Sequence, residues 1–397
     1  MTHRSTLRGA AFLGLASAAL ASVVAAACGN DPHSDPVPDA AADTGALDVD
    51  AGATDAAADV PVVPKGARVL GLATDLASAD FVDDARLALD AGAKTALVQF
   101  AWDEIERPFD AGADAGDPDG GASTLVYQPA IHVANLVYDG VGSQAILEVD
   151  PIDGSGSRAP SELAGRALDD AELGARFDRV TDYALGELRD TKLTALVIGG
   201  SVDVALGDDA AKHAAFATFF TRAAAHARTV RPGLTVGFGV SGEGLVARRD
   251  RLSPALSAAD IVAVSYLGVD AAGAAKREVD VASDLDRIVA AAPAKPIVLH
   301  AVGAPSRGAT GADESTQAAF VTATFRAWDR HAGRIPVLSF RELDDAAAAA
   351  AARHARREGR SDAAFLGAVG AFGLRDADLR RKPSFAAFLG EARARGF

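Results

Sequence analysis

The sequence predicts an α/β fold, a (β/α)8 TIM barrel preceded by a signal peptide and a disordered linker rich in Ala, Asp and Pro. After residue 65, eight short apolar runs alternate with helical patterns. The runs are almost continuously apolar, which is typical of parallel strands covered by helices on both faces. Eight such units in about 330 residues suit a closed barrel. An open doubly wound sheet usually ends at five or six strands and would leave two units unplaced.

The apolar runs are the predicted strands, at residues 69–74, 95–100, 144–149, 194–199, 234–239, 260–265, 296–300 and 335–340. The predicted helices lie at residues 79–91, 128–138, 170–189, 208–230, 244–257, 280–291, 314–331 and 382–395. Two insertions interrupt this plan, at 110–123 after the second strand and at 343–374 after the eighth, where a further helix is predicted over 344–358. Both follow strands, and loops in that position form the active-site face of a barrel.

Two segments precede the predicted barrel. Residues 1–27 have a short basic start and an apolar run, which is typical of a secretory signal peptide. The run ends Val24-Ala-Ala-Ala-Cys28-Gly29, which resembles a lipoprotein signal with lipidation at Cys28; ordinary secretion after an Ala-x-Ala site is the alternative. Residues 28–64 are mostly Ala, Asp and Pro, which predicts a flexible acidic tether. We therefore expect an exported, membrane-anchored lipoprotein, periplasmic or at the cell surface, whose barrel spans 65–397.

Charge and composition exclude several classes of function. The net charge is −15, and the eight Asp of the tether with the two Arg of the leader leave −9 on residues 65–397. This acidic balance argues against a nucleic-acid partner.

The single cysteine rules out a disulfide framework within one chain. No His-Glu-x-x-His or similar pair indicates a metal site. Gly237-Phe-Gly-Val-Ser-Gly242 has dinucleotide-binding spacing, but Gly237 lies inside the fifth strand and no acid ends the sixth, so no cofactor is predicted.

Four motifs at strand ends resemble clan A glycoside hydrolases, and galactanase-type secreted barrels most, over about residues 66–392. They are Trp102-Asp-Glu-Ile-Glu106, Ile198-Gly-Gly-Ser-Val-Asp203, Ser265-Tyr266 and Leu299-His-Ala-Val-Gly-Ala-Pro-Ser306. The resemblance implies a barrel that acts on polysaccharide with two catalytic glutamates. It places the acid/base where this chain has Ser201, the preceding Asn where it has Gly200, and the nucleophile where it has Ala301.

These substitutions predict a barrel without the usual activity. A retaining glycosidase needs two carboxyl groups about 5–5.5 Å apart, one to protonate the leaving oxygen and one to attack the anomeric carbon. Serine is too weak an acid for the first role, and alanine can fill neither. We therefore expect a catalytically inactive protein that binds carbohydrate or serves as a scaffold. The alternative is an active glycosidase with a relocated carboxylate pair, for which Asp203 and Glu342 are the fallback candidates and Asp150, Asp153 and Asp344 are further acids near strand ends.

A surviving cleft would present aromatic and polar side chains to a sugar. Flat rings stack on sugar faces, and a few polar groups fix orientation. The candidate binding residues are Trp102, Asp150, Arg158, Asp203, Tyr266 and His300. Barrel packing for Trp102, a structural ion pair for Arg158 and simple space filling for His300 are the alternatives. A carboxyl pair 5–10 Å apart at the mouth would favour the enzyme, an open aromatic groove the binder, and a filled mouth the scaffold.

Overall fold

The computed structural model describes residues 61–108 and 125–397. The predicted signal peptide, Cys28, most of the tether and the whole 110–123 insertion lie outside these residues. Within the described part of the chain, no helix combines the length and apolar character needed to span a membrane.

Eight parallel strands close into a barrel. This confirms the predicted TIM barrel, with every predicted strand within a few residues of its observed position. In chain order the strands are β1 (Val69–Leu72), β2 (Thr95–Ala101), β3 (Glu106–Pro108), β4 (Leu125–Tyr127), β5 (Gln144–Asp150), β6 (Ile152–Asp153), β7 (Gly156–Ser157), β8 (Lys192–Ile198), β9 (Val236–Ser241), β10 (Ile261–Leu267), β11 (Ile297–Gly303) and β12 (Val337–Phe340). The order around the barrel is β1-β12-β11-β10-β9-β8-β5-β2. Four short strands lie outside the barrel and form two antiparallel pairs, β3 with β4 and β6 with β7.

Long amphipathic helices surround the barrel, as the sequence predicts. Short helices at strand ends were not predicted, because four to seven residues are too few to show a helical period. The helices are α1 (Phe81–Asp90), α2 (Trp102–Ile105), α3 (Ala130–Val141), α4 (Ala171–Glu187), α5 (Val202–Leu206), α6 (Ala210–Val230), α7 (Gly242–Ala258), α8 (Glu278–Ala291), α9 (Glu314–Arg330), α10 (Ala348–Arg357), α11 (Ala363–Val369) and α12 (Pro383–Arg395), with one 3-10 turn at Ser161–Leu163.

The predicted 344–358 helix is shorter in the structure, where α10 begins at Ala348. The two residues at its expected start are held by ion pairs to the chain that follows. Arg375 Nε lies 2.6 Å from Asp344 Oδ1, and Lys382 Nζ lies 2.6 Å from Asp345 Oδ1. These contacts anchor the start of the 343–374 insertion outside a helix and set the position of α10.

The barrel interior has an apolar lower part and a polar upper part. Ile146, Val197, Ala263 and Val298 belong to a buried cluster inside the strands. Because side chains alternate along a strand, the residue two positions after Ile146 on β5 is also on the inner face. That residue is Glu148, which is fully buried. The carboxyl end of the barrel therefore encloses charge rather than the branched apolar side chains that fill most such barrels.

A β-bulge on β11 displaces the residues that follow Leu299. Val264 pairs with Leu299, but Ser265 pairs with Ala301, so His300 is an extra residue in the ladder. A bulge of this kind re-aims side chains at a barrel rim. Here it directs His300 toward the interior, where its Nε2 lies 3.0 Å from Glu148 Oε2.

Candidate functional site

The end of α10 lies over the carboxyl ends of the barrel strands. The Gly154 N–H, in the turn between β6 and β7, donates to the Arg357 carbonyl at 2.7 Å. A Cβ on Gly154 would come within 2.5 Å of that carbonyl oxygen, so only glycine allows this approach. The close backbone contact holds Arg357 and Glu358 against the barrel mouth.

Glu358 occupies the centre of the mouth. Its Oε2 accepts a hydrogen bond from the Ser201 hydroxyl at 2.7 Å, and its Oε1 accepts one from Arg341 Nη1 at 3.0 Å. The Ser265 hydroxyl also lies 3.4 Å from Oε2. Ser201 and Arg341 are only 5% and 3% exposed. This part of the mouth is therefore occupied by an ion pair between Glu358 of the insertion, whose side chain is 10% exposed, and the buried Arg341 that follows β12.

Ser201 holds its side chain in this position through an unusual backbone conformation. It has φ 46° and ψ 41°, the left-handed region that residues other than glycine, asparagine and aspartate seldom adopt. Such a conformation costs on the order of 1–2 kcal/mol and persists only where its surroundings enforce it. The Gly200 N–H donates to the Ile152 carbonyl at 3.1 Å, and Ser201 begins the short helix α5.

Arg357 extends the charged cluster to the side of β2. Its Nη2 donates to Glu104 Oε2 at 2.8 Å, and its Nη1 donates to Gln99 Oε1 at 3.1 Å. Its Nε lies 3.6 Å from Asp150 Oδ2. Burial raises the pKa of Glu104, but Arg357 and the Ala101 N–H outweigh it and leave that pKa below its usual value. Glu104 and Arg357 therefore form a stable ion pair.

Glu148 and Asp150 form a buried carboxyl pair below Arg357. Both are 0% exposed. Burial raises the pKa of Glu148, but His300 and Gln99 lower it by a larger amount, so the pKa lies below its usual value. Burial and the neighbouring Glu148 charge raise the pKa of Asp150 well above its usual value. The two acids thus differ in direction: the pKa of Glu148 is lowered by its partner His300, and that of Asp150 is raised by burial and by the Glu148 charge.

This carboxyl pair explains the glycine before Ser201. A Cβ on Gly200 would lie 2.5 Å from Glu148 Oε1 and 3.0 Å from Asp150 Oδ1. The volume that a side chain at position 200 would need is thus taken by the two acids. Sequence reasoning missed Glu148 because it stands inside an apolar run; its spacing of two from Asp150 was the available signal.

Trp102 and Tyr266 are buried, which corrects the expectation that their rings face a sugar. Trp102 is 0% exposed, packs edge-on against Phe177 and donates from Nε1 to Glu106 Oε2 at 2.7 Å. Tyr266 is 1% exposed, stacks on Phe320 and donates its hydroxyl to Asp284 Oδ2 at 3.0 Å. Both rings pack against the outer side of the barrel, so neither offers a face to the mouth.

The remaining predicted binding residues are also held by neighbours. Arg158 donates to Asp153 Oδ2 at 2.6 Å and to Asp103 Oδ1 at 2.7 Å, which is the structural role weighed as its alternative. Asp203 accepts from both the N–H and the hydroxyl of Ser241 at 2.7 Å. Burial raises the pKa of Asp203 to about 6. The fallback acid Asp203 is therefore held by Ser241, just before the start of α7.

An open cleft of about 630 Å³ lies on the β1, β2 and β12 side of the mouth, and Arg341 and Arg357 are among its lining residues. We refer to it as the lateral cleft. The carboxyl ends of β1, β2 and β12 and one face of α10 form its walls. Its polar lining includes Gln99, Glu104, Arg107, Glu342, Arg353 and His354. Of these, the sequence analysis named only Glu342. The others were not predicted because they become neighbours only when α10 packs against the barrel.

Glu342 and His354 form a hydrogen-bonded pair on the wall of this cleft. Arg341 Nη2 lies 2.7 Å from His354 Nδ1, and an arginine can only donate, so Nδ1 accepts and Nε2 carries the proton. His354 Nε2 lies 3.1 Å from Glu342 Oε1. Burial, followed by the Arg341 charge, lowers the pKa of His354 well below its usual value. Burial raises the pKa of Glu342 to about 8, which leaves a carboxylic acid facing the cleft at neutral pH.

Neither a metal site nor a dinucleotide site is evident in the described residues. No cluster of three or more His, Cys, Asp or Glu in 61–108 and 125–397 could hold a metal ion. A Cβ on Gly237 would meet the Ile261 carbonyl oxygen at 2.5 Å. The first glycine of the dinucleotide-like motif therefore serves close packing of β9 on β10.

The fold is a closed TIM barrel of eight parallel strands, and comparison with known proteins relates it to glycoside hydrolases by fold. No protein-family model and no curated protein matches the sequence. Among solved structures, the chain is similar to a GH5_18 protein from Bifidobacterium longum subsp. longum in complex with Manβ1-4GlcNAc, at 16% identity and TM-score 0.60 over 82% of this chain and 78% of that one. It is also similar to an exo-β-1,4-mannosidase from Opitutaceae bacterium strain TAV5, at 18% identity and TM-score 0.59 over 82% and 59%.

A family 39 glycoside hydrolase from Bacteroides cellulosilyticus WH2 has the same architecture, at 13% identity and TM-score 0.54 over 84% of this chain and 65% of that one. At these levels of identity the likeness concerns the fold. The eight-stranded barrel shared with clan A glycoside hydrolases agrees with the resemblance that the strand-end motifs indicated.

Proposed function

We propose that this protein is a glycoside hydrolase-like barrel that no longer hydrolyses glycosides at its mouth and instead binds carbohydrate in the lateral cleft. The observation that carries this proposal is the position of Glu358, 2.7 Å from Ser201 and 3.0 Å from Arg341. This ion pair occupies the part of the mouth next to Ser201, where the resemblance places the catalytic acid.

The chemistry of the mouth supports the loss of retaining hydrolysis. Such a mechanism needs one proton-donating and one nucleophilic carboxyl in contact with the substrate. Ser201 and Ala301 stand at the positions that the resemblance assigns to these groups. Glu148 and Asp150 are carboxyls, but both are fully buried beneath Arg357. Glu148 pairs with His300, and Asp150 lies 3.6 Å from Arg357 Nε, so neither carboxyl faces a substrate.

The lateral cleft supports the binding role. Its volume of about 630 Å³ lies in the range of small-ligand sites, about 300–1,000 Å³. Hydroxyl, amide and charged side chains line it, including Thr74, Ser78 and Gln128. These groups suit the many hydroxyls of a saccharide. A filled mouth is the arrangement associated above with a scaffold, and the open cleft beside it is the reason to favour binding over a purely structural role.

Display on a membrane belongs to the same proposal. Lipidation at Cys28 and the acidic tether of residues 28–64 would hold the barrel away from a membrane surface, either in the periplasm or outside the cell. A binding protein in that position would retain polysaccharide close to the cell. The lipid anchor is the membrane contact in this proposal, and the barrel contributes the carbohydrate contact.

An active enzyme is the second candidate, and Glu342 is the observation that favours it. A carboxyl with a pKa of about 8 on a cleft wall is a proton donor at neutral pH. Asp75 also lines the cleft, and its charge contributes to the raised pKa. These two acids would be the relocated pair, with Glu342 as the acid and Asp75 as the base.

A binding experiment with product analysis separates the candidates. The full chain carrying Cys28→Ser, which prevents lipidation, would be applied to arrays of plant and microbial polysaccharides and oligosaccharides. Bound glycans would then be measured by mass spectrometry. We expect intact glycan on the protein. Cleaved product that disappears in Glu342→Gln would replace the proposal with the enzyme, and absence of any binding would leave the scaffold.

A further inference from the structure

Most acidic side chains that line the lateral cleft have an ion-pair partner, whereas two of the arginines that line it have none among the described residues. Two of its lining acids are neutralised by bases that do not line it. Asp344 accepts two hydrogen bonds from Arg375, at 2.6 and 2.8 Å. Asp345 lies 2.6 Å from Lys382 Nζ and 2.9 Å from Arg307 Nη2. Neither acid therefore contributes a full negative charge to the cleft.

Two more acids are satisfied within the cleft wall. Glu104 forms its ion pair with Arg357 at 2.8 Å. Glu342 lies 3.1 Å from His354 Nε2, and burial holds its carboxyl in the neutral form at neutral pH. A neutral carboxyl can donate a hydrogen bond to a ligand oxygen, which an ionised one cannot.

Two arginines contribute positive charge at the rim of the lateral cleft. Arg107 and Arg353 are exposed and line the cleft. Neither forms an ion pair with any side chain in residues 61–108 and 125–397. Among the lining acids in these ranges, Asp75 alone has no ion-pair partner, and its carboxylate accepts only the Ala77 N–H. Within the described residues, the rim thus presents two guanidinium groups and one carboxylate that have no ion-pair partner.

We propose that the lateral cleft recognises an acidic saccharide, one that carries a carboxylate or sulfate group, with Arg353 and Arg107 binding the anion. This inference rests on the proposed carbohydrate-binding function and specifies its ligand class. Arginine suits the role because its planar donors match the paired oxygens of a carboxylate or sulfate. Arg353 is on α10 and Arg107 follows β2, so the anion would bridge the insertion and the barrel.

The other lining groups suit the rest of such a sugar. Gln128, Thr74 and Ser78 offer donors and acceptors to ring hydroxyls. The cleft has few aromatic side chains, so stacking contributes little to affinity, and charge-assisted hydrogen bonds supply a larger share. Binding should therefore weaken as salt is added, because ions screen charges at an exposed rim.

The test compares saccharides of equal length that differ in charge. The full chain carrying Cys28→Ser would be titrated calorimetrically with hexamers of β-1,4-mannose, β-1,4-galactose and α-1,4-galacturonate, and with a sulfated galactan oligosaccharide. We expect the acidic saccharides to bind at least about tenfold more tightly than the neutral ones, as one or two charge-assisted hydrogen bonds imply. Arg353→Gln should remove about tenfold of that affinity. Arg393→Gln, which changes an exposed arginine on α12 outside the cleft, should leave it unchanged.

The outcomes distinguish this inference from the function on which it rests. Preference for galacturonate over the sulfated probe assigns the carboxylate, and the reverse preference assigns sulfate. Equal binding of neutral and acidic hexamers, unaffected by Arg353→Gln, would overturn the acidic ligand while leaving carbohydrate binding in place. Failure of every hexamer to bind would overturn both. Equal losses in Arg353→Gln and Arg393→Gln would show a general effect of net charge and reject the site.

Discussion

The carboxylate of Glu358 lies 2.7 Å from the hydroxyl of Ser201, although 157 positions separate the two residues in the chain. Ser201 stands where the resemblance to clan A enzymes places the catalytic acid. A glutamate at position 201 would extend its own carboxyl into the space that Glu358 fills. The insertion after β12 therefore places a carboxylate at the mouth, where it is the ion-pair partner of Arg341.

Restoring the two expected glutamates should not restore hydrolysis. In the double variant Ser201→Glu and Ala301→Glu, the new carboxyl at position 201 would meet Glu358, and like charges close together in a buried site repel strongly. We expect no release of 4-nitrophenol from aryl β-mannoside or β-galactoside, and a lower melting temperature than in the wild type. The matched variant Ser201→Gln and Ala301→Gln separates the effect of charge from that of size. Turnover by the glutamate variant alone would show that a substrate can enter the mouth.

Removing the charge of Glu358 should destabilise the fold. Glu358→Gln leaves Arg341 buried at the barrel mouth without its counter-ion, and breaking a buried pair in this way costs about 3 kcal/mol or more. The matched control is Glu314→Gln, which removes the same charge from an exposed pair with Arg380. Exposed pairs contribute at most about 1 kcal/mol. Urea unfolding followed by circular dichroism measures both changes, and equal losses in the two variants would contradict the buried-pair interpretation.

Gly200→Ala should also be destabilising, because the added methyl would lie 2.5 Å from Glu148 Oε1. Overpacking of this kind costs about 1–3 kcal/mol. Gly390→Ala is the control, and it is expected to stabilise the protein. Gly390 lies inside α12 with open space around its Cβ position, and alanine is favoured over glycine in a helix by about 0.5–1 kcal/mol. Thermal unfolding measures the melting temperatures of the two variants, which should be lower than that of the wild type for Gly200→Ala and slightly higher for Gly390→Ala. A neutral Gly200→Ala would mean that the carboxyl pair can move aside.

The barrel could be predicted from sequence because its signals are local and repeated. Each apolar run of a strand and each amphipathic helix is encoded within its own residues, and eight repeats leave few other folds. The mouth could not be predicted in the same way. The pattern of α10 was visible, but nothing in residues 344–358 shows that Glu358 would meet Ser201. Contacts between distant segments depend on how the elements pack.

The aromatic residues show a second reason why the site could not be predicted from the sequence. Trp102 and Tyr266 follow strands, as sugar-stacking rings do, and composition alone does not distinguish a ring that faces the mouth from one that packs behind it. A local signal did exist for Trp102. Glu106 is four residues further on and accepts its Nε1–H at 2.7 Å. A buried tryptophan usually finds such a partner for its N–H.

The pH dependence of stability should reveal the acid on the cleft wall. Burial raises the pKa of Glu342 from 4.5 to about 8, so the folded state binds this proton more tightly than the unfolded state does. Its contribution to stability is therefore complete below about pH 4.5 and is lost as the pH rises toward 8. Relative to Glu342→Gln, the wild type should lose stability steadily between pH 5 and 8. Urea midpoints of the two proteins at pH 5, 6, 7 and 8 would measure this difference.

Glu314→Gln is the control, because the pKa of Glu314 is shifted in the opposite direction to that of Glu342. The hydrogen bond from Arg380 lowers the pKa of Glu314, so its contribution is present above its unfolded pKa and is lost as the pH falls. The difference between wild type and Glu314→Gln should therefore shrink toward acid pH, while the difference between wild type and Glu342→Gln moves the other way. A Glu342→Gln difference that is flat from pH 5 to 8 would mean that Glu342 is already ionised in the folded protein. It would then accept a hydrogen bond from His354 Nε2 as a carboxylate, and the second candidate function would lose its proton donor.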